Sequence, residues 1–170
     1  NIIDKKINSP ETSSIGRLFD GISALIGLIE EISFEGEAAI ILENISNEEI
    51  INNYKYNIDK IEDRYIIKFN EIIIGIVNDI RNKVTKDIIS AKFHNTVVEF
   101  TIDMAKRMRE KTKVNKVILT GGVFQNEILL DRTIVKLIEN NFEVITHTII
   151  PCNDSGISLG QLAIANEKIN

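Results

Sequence analysis

The chain has 170 residues, 44% of them hydrophobic and 26% charged, enough for one folded domain or one large lobe and too apolar for global disorder. Its formal net charge is −5, with lysines and arginines interspersed among acids, so nothing points to a basic nucleic-acid stripe. One cysteine rules out an internal disulfide, and no apolar run reaches the length of a membrane span or signal sequence, so a cytoplasmic location is expected. Residues 1–11 carry no initiator methionine and read as a linker remnant, so a piece of a longer protein is expected.

Thr12-Ser13-Ser14 reads as a helix cap, and Ile15, Leu18, Phe19, Ile22, Leu25 and Ile26 then recur at helical spacing to about Leu28. Gly16 and Gly21 lie inside this helix at a cost of roughly 1 kcal/mol each, which predicts close approach of a ligand or another helix. After a break at Ser33 to Gly36, Glu37 to about Asn47 forms a second helix with Ala38, Ala39, Ile41 and Leu42 on its apolar face. Aromatic and β-branched residues between Asn53 and Asn70 predict a hairpin turning at Asp59-Lys60. Glu71 to Val84 and Thr85 to Lys111 follow as helices. The second is patterned for core burial by residues such as Ala91, Phe93, Val97 and Phe100. Then come a strand (Val117 to Leu119), a helix (Glu127 to Glu139), a strand (Phe142 to Ile150) and a last helix (Ile157 to Ala165). A helix-rich first half followed by β-α-β-α predicts an α/β lobe with helices packed on a mixed sheet.

Both late strands empty into loops of glycine and amide residues, Gly121-Gly122 with Asn126, and Asn153-Asp154-Ser155-Gly156. Parallel strands that end this way describe a ligand cleft at their carboxyl ends. Glycine admits a ligand to the backbone, while the amide and carboxylate can bond it or hold a metal.

Five segments occur in order: TSSIGRLFDGISALIGL, ISFEGEAAIILE, AKFHNTVVEF, LTGGVFQNEILL and NDSGISLGQLAIA. Together they resemble the carboxy-terminal part of the HypF family of hydrogenase maturation carbamoyltransferases. The resemblance runs from about Thr12 to Ala165 and is weakest from Asn44 to Lys86. It implies that residues 12–170 are an RNase-H-like second lobe of an actin-like ATPase domain, similar to that of tRNA threonylcarbamoyl-transferase proteins. The first lobe and upstream domains of the family lie outside this sequence. The implied substrates are ATP and carbamoyl phosphate, which give carbamoyl-adenylate. The implied acceptor is the carboxy-terminal cysteine of a HypE-type partner.

The resemblance also implies roles for residues. Asp20 would contact the nucleotide ribose through its carboxylate. Gly36 would let the nucleotide pass close, or be a plain loop glycine. Gly121 and Gly122 would admit the adenosine, Asn126 would bond it, and the helix start behind them would favour anionic groups. Asp154 would join two histidines of the missing lobe on a divalent metal, iron or zinc; the alternative is an Asx-turn cap. Ser155 stands where the family usually has glycine, so a positive φ there would be strained. His94 is the one candidate for direct chemistry, orienting a phosphate or the carbamoyl group, with a hydrogen-bonded core histidine as the other reading. Ser13, Ser14 and Arg17 either face phosphate or cap the helix. Cys152 is not expected to be a nucleophile, and His147 is expected to be structural. Two other functions stay open: a tRNA threonylcarbamoyl-transferase fragment, and an inert module that binds nucleotide or a partner. An exposed apolar seam would favour self-association.

Overall fold

A computed structural model describes residues 2, 4–10 and 12–169. The linker reading of residues 1–11 falls partly outside them, at residues 1, 3 and 11. In chain order the elements are α1 (Ile15–Leu25), α2 (Glu37–Asn44), β1 (Asn57–Ile61), β2 (Arg64–Lys68), α3 (Asn70–Arg81), α4 (Lys86–Thr112), β3 (Lys116–Ile118), α5 (Glu127–Glu139), β4 (Glu143–Ile145) and α6 (Ile157–Ile169).

The core is built around α4. This 27-residue helix buries Ile89, Ala91, Phe93, Val97, Val98, Phe100 and Ile102, so it is covered on several sides. Phe19 and Ile22 of α1, Leu42 of α2, Ile72 and Ile76 of α3, and Leu129 and Leu137 of α5 pack with them. The Phe19 and Phe93 rings meet edge to face at 4.9 Å, a favoured aromatic geometry. Removing this apolar surface from water is the main force holding the helices together. Salt bridges join α3 to α4 through Asp79 and Lys92, and α4 to α5 through Glu99 and Lys136.

The expected α/β composition is present, but the mixed sheet is not. Among the described residues there are two separate two-stranded ladders, β1 with β2 antiparallel and β3 with β4 parallel. The hairpin packs through Tyr56 on α4, where the ring meets Phe100 at 6.0 Å and the hydroxyl donates to Asp103 at 2.6 Å. It therefore needs no strand of the other ladder.

Its turn also differs from expectation. Asp59 and Lys60 lie within β1, paired with Ile66 and Tyr65, and the chain reverses at Glu62-Asp63 with Glu62 at φ 54°. This register sets Ile58 opposite Ile67, and both pack against the core. Slipping it would turn apolar residues outward. The last strand is three residues long rather than nine, because only Glu143 to Ile145 find a partner in β3. Among the described residues no second helix meets the α1 glycines, which leaves ligand approach as the expected reason for them. A Cβ at Gly21 would meet nothing within 4 Å, and one at Gly16 only the Ser14 hydroxyl at 3.6 Å.

Candidate functional site

Segments distant in sequence enclose one open cleft of about 1300 Å³. Its walls are α1, the loop at 32–36, α2, and the loops that follow β3 and β4. Asp20, Gly36, Gly121, Gly122, Asn126 and Asp154 all line it. Ser14 and Arg17 line it too, whereas His94 does not.

The two late loops are set by the short parallel ladder beneath them. Leu119 N–H donates to Ile145 C=O at 2.9 Å, and Gly121 N–H donates to Cys152 C=O at 2.8 Å. Gly121 adopts φ 104°, which glycine accepts without strain. A 3-10 turn at Gly122–Gln125 then delivers Asn126 as the cap of α5, its Oδ1 accepting from Leu129 N–H at 2.8 Å. Past β4, the Asx turn belongs to Asn153, whose Oδ1 accepts from Ser155 N–H at 3.1 Å. Asp154 beside it is exposed, and its carboxylate accepts no hydrogen bond among the described residues. Ser155 sits in a 3-10 turn without positive φ, so serine stands there unstrained. His147 Nε2 lies 2.9 Å from the Thr120 hydroxyl and links the same two loops.

On the other wall, Asp20 accepts from Arg17 Nη1 at 3.3 Å and keeps a partly open carboxylate. Gly36 has φ 87° and starts α2 with no capping side chain. Glu37 accepts from Ser33 N–H at 2.5 Å and from the Ser33 hydroxyl at 2.9 Å, which closes the 33–36 loop. These bonds hold its carboxyl below the usual carboxylate range.

The start of α5 is not free to meet an anion. Glu43 of α2 accepts from Glu127 N–H at 2.6 Å and Ile128 N–H at 3.3 Å, and Asn126 takes Leu129 N–H. The expected favourable field there is already used by a carboxylate of this chain. The uncapped helix start on the cleft is that of α2. Burial raises the Glu43 carboxyl above its usual range, against the lowering pull of the two N–H groups. Sequence reading missed Glu43, because its bonding partners lie 84 and 85 residues away.

His94 lies directly behind the cleft wall, fully buried. Nδ1 is 2.9 Å from Ser90 C=O, and Nε2 is 3.0 Å from Asn126 Nδ2. Burial pushes its pKa down to about 4. Among the described residues, no three of His, Cys, Asp and Glu stand together to hold a metal. Asp154 offers one oxygen ligand, so this chain does not by itself fit a tightly held ion.

The family profile described as "Carbamoyltransferase, Kae1-like Domain, second subdomain" matches residues 1–161. The chain belongs to this HypF carbamoyltransferase family. It is 39% identical over 159 residues to the carbamoyltransferase HypF of Synechocystis, covering 91% of this chain and 19% of that protein. A solved structure described as full-length HypF in the phosphate- and nucleotide-bound form superposes with a TM-score of 0.93 at 50% identity, over 99% of this chain and 22% of that one. The tRNA N6-adenosine threonylcarbamoyltransferase of Ehrlichia canis matches at 26% identity, over 95% of this chain and 47% of that protein. The chain thus spans about a fifth of the length of its HypF relatives. No helix among the described residues is long and apolar enough to cross a membrane.

Proposed function

We propose that this chain supplies one wall of the nucleotide site of a HypF-type carbamoyltransferase, as the RNase-H-like second lobe of an actin-like ATPase domain. One observation carries the reading. Asp20, Gly36, Gly121, Gly122, Asn126 and Asp154 come from four separate segments, and all face one cleft. The bound nucleotide of the HypF relative supports it.

In this reading Asp20 accepts from the ribose hydroxyls, and Gly36, Gly121 and Gly122 bring backbone against the adenosine. Anionic groups lie toward the open start of α2 rather than α5, which Glu43 fills. The full polypeptide carries ATP, carbamoyl phosphate and water to carbamoyl-adenylate, pyrophosphate and phosphate. The thiol sulfur of a HypE-type partner's carboxy-terminal cysteine then attacks the carbamoyl carbon. A C–S bond forms, the C–O bond to phosphate breaks, AMP leaves, and the thiol proton passes to solvent. Asp154 is the one residue of this chain proposed to face a divalent metal. The chain by itself is then a binding wall without turnover. The setting is the cytoplasm.

Calorimetric titration of the chain and its Asp20→Ala variant with ATP tests this. Among the described residues Asp20 bonds only Arg17, on the surface, so the variant keeps its fold. Saturable binding that weakens at least about tenfold in the variant is expected, from the loss of hydrogen bonds to a charged group. Equal affinity in both proteins removes Asp20 from the site. No binding to either overturns the reading for this chain.

A further inference from the structure

Asn126 answers to two demands at once: it closes the start of α5 and it faces the cleft. The first demand fixes which way its amide lies. Oδ1 accepts the Leu129 N–H, and an amide turned end for end would set NH₂ against a backbone N–H. Nδ2 therefore points at His94 Nε2, 3.0 Å away. That contact bonds only if Nε2 carries a lone pair.

The other side of the ring gives the same answer independently. Nδ1 lies 2.9 Å from the Ser90 carbonyl oxygen, which can only accept. The Ser90 hydroxyl lies 3.3 Å from Nδ1, and it spends its own hydrogen on Leu42 C=O at 2.5 Å. Both neighbours of Nδ1 thus require a donor there. The ring is sealed from water, with Phe19 edge-on at 5.2 Å and Phe93 at 6.2 Å.

We infer that His94, held as the Nδ1–H tautomer between Ser90 and Asn126, is a positioning residue that fixes the Asn126 amide at the cleft wall. It touches no ligand itself. With its cap and its histidine contact made, Asn126 has one Nδ2 hydrogen and one Oδ1 lone pair left for a ligand. Burial favours the neutral ring that this arrangement needs. What the ligand is rests on the nucleotide reading above, whereas the tautomer does not.

Long-range proton–nitrogen spectra of the ¹⁵N-labelled full chain read the tautomer directly, with no substitution. The expected result is a neutral ring protonated on Nδ1 alone. A ring protonated on Nε2, or one averaging between forms, overturns the inference. Two variants test the link to binding. Glutamine carries an acceptor and a donor on one end, so His94→Gln can bond Asn126 and Ser90 as the imidazole does, while His94→Leu fills the space without either bond. ATP affinity is expected within about threefold of the parent for His94→Gln and about tenfold weaker for His94→Leu, the size of one hydrogen bond. Equal affinity for all three overturns the positioning role. The Nδ1–H tautomer in a chain that binds no ATP confirms the hold on Asn126 and refutes the nucleotide reading alone.

Discussion

At the start of α5, Glu43 does from α2 what capping residues usually do from the adjacent chain. Its carboxylate serves two N–H groups at once. Glu43→Ala is expected to lower stability by about 1 kcal/mol, the worth of a lost cap. Glu43→Gln keeps an acceptor and sheds the charge. Burial, first, and the Glu127 charge raise the Glu43 carboxyl in the folded chain. The folded state therefore holds this proton longer than the unfolded chain does, and the stability so gained fades as pH rises through that raised value. The Gln variant should thus gain on the parent above the ordinary value of 4.5 and lose that gain below it. Urea midpoints at about pH 4 and about pH 7 check this, and an equal gap at both would sink it. The cleft residues Gly121, Gly122 and Asp154 were legible in the sequence because each sits in a local strand–loop pattern, whereas Asp20, inside α1, was legible only through the family resemblance. Glu43 was not, since nothing in a local pattern points so far along the chain. For His94 the sequence left a core role and direct chemistry both open, and burial behind Asn126 is a tertiary fact.

Helix propensity alone predicts that alanine improves every helical glycine, by about 1 kcal/mol. Two glycines here should divide on that rule. At Gly75 in α3 an added Cβ would lie 2.6 Å from Cδ1 of Tyr54. That ring cannot easily step aside. The Tyr54 backbone N–H donates to Thr96 Oγ1 at 2.8 Å, the ring hydroxyl donates to Asp79 at 2.8 Å, and Lys92 sits 4.4 Å over the ring face. Overpacking of this kind costs about 1–3 kcal/mol, so Gly75→Ala should melt lower than the parent. At Gly21 in α1 nothing stands within 4 Å, so Gly21→Ala should melt higher. A rise in both melting temperatures would mean that Tyr54 yields. The helices themselves were readable because their apolar spacing is local. The hairpin turn was misplaced because Asp59-Lys60 and Glu62-Asp63 are equally polar pairs, and only packing of Ile58 and Ile67 on the core chooses between them. The run toward Ile150 looked like strand, yet Ile149 is 93% exposed, so apolar composition without a partner makes no ladder.

Across the whole molecule, apolar side chains are unevenly covered. No residue of α6 is buried, and Leu162 and Ile164 stand largely in solvent. Ile118 of β3 is exposed as well. Apolar surface of this kind drives association. Sedimentation velocity over a concentration series is expected to show reversible self-association, weakened by a Leu162→Glu, Ile164→Glu double variant. A chain that stays monomeric throughout contradicts this. Composition foretold a large core but not which helix would lie bare, because an apolar helix reads the same whether or not something covers it.

The bond from Gly121 N–H to Cys152 C=O joins the two cleft loops main chain to main chain. It is therefore indifferent to the side chain at position 152. That side chain is the single thiol of these 170 residues, partly exposed and two residues from Asp154. A dye attached there would ride on the rim of the cleft without cutting the stitch beneath it. The chain carries, ready made, a single labelling point for a titration that asks whether its cleft fills.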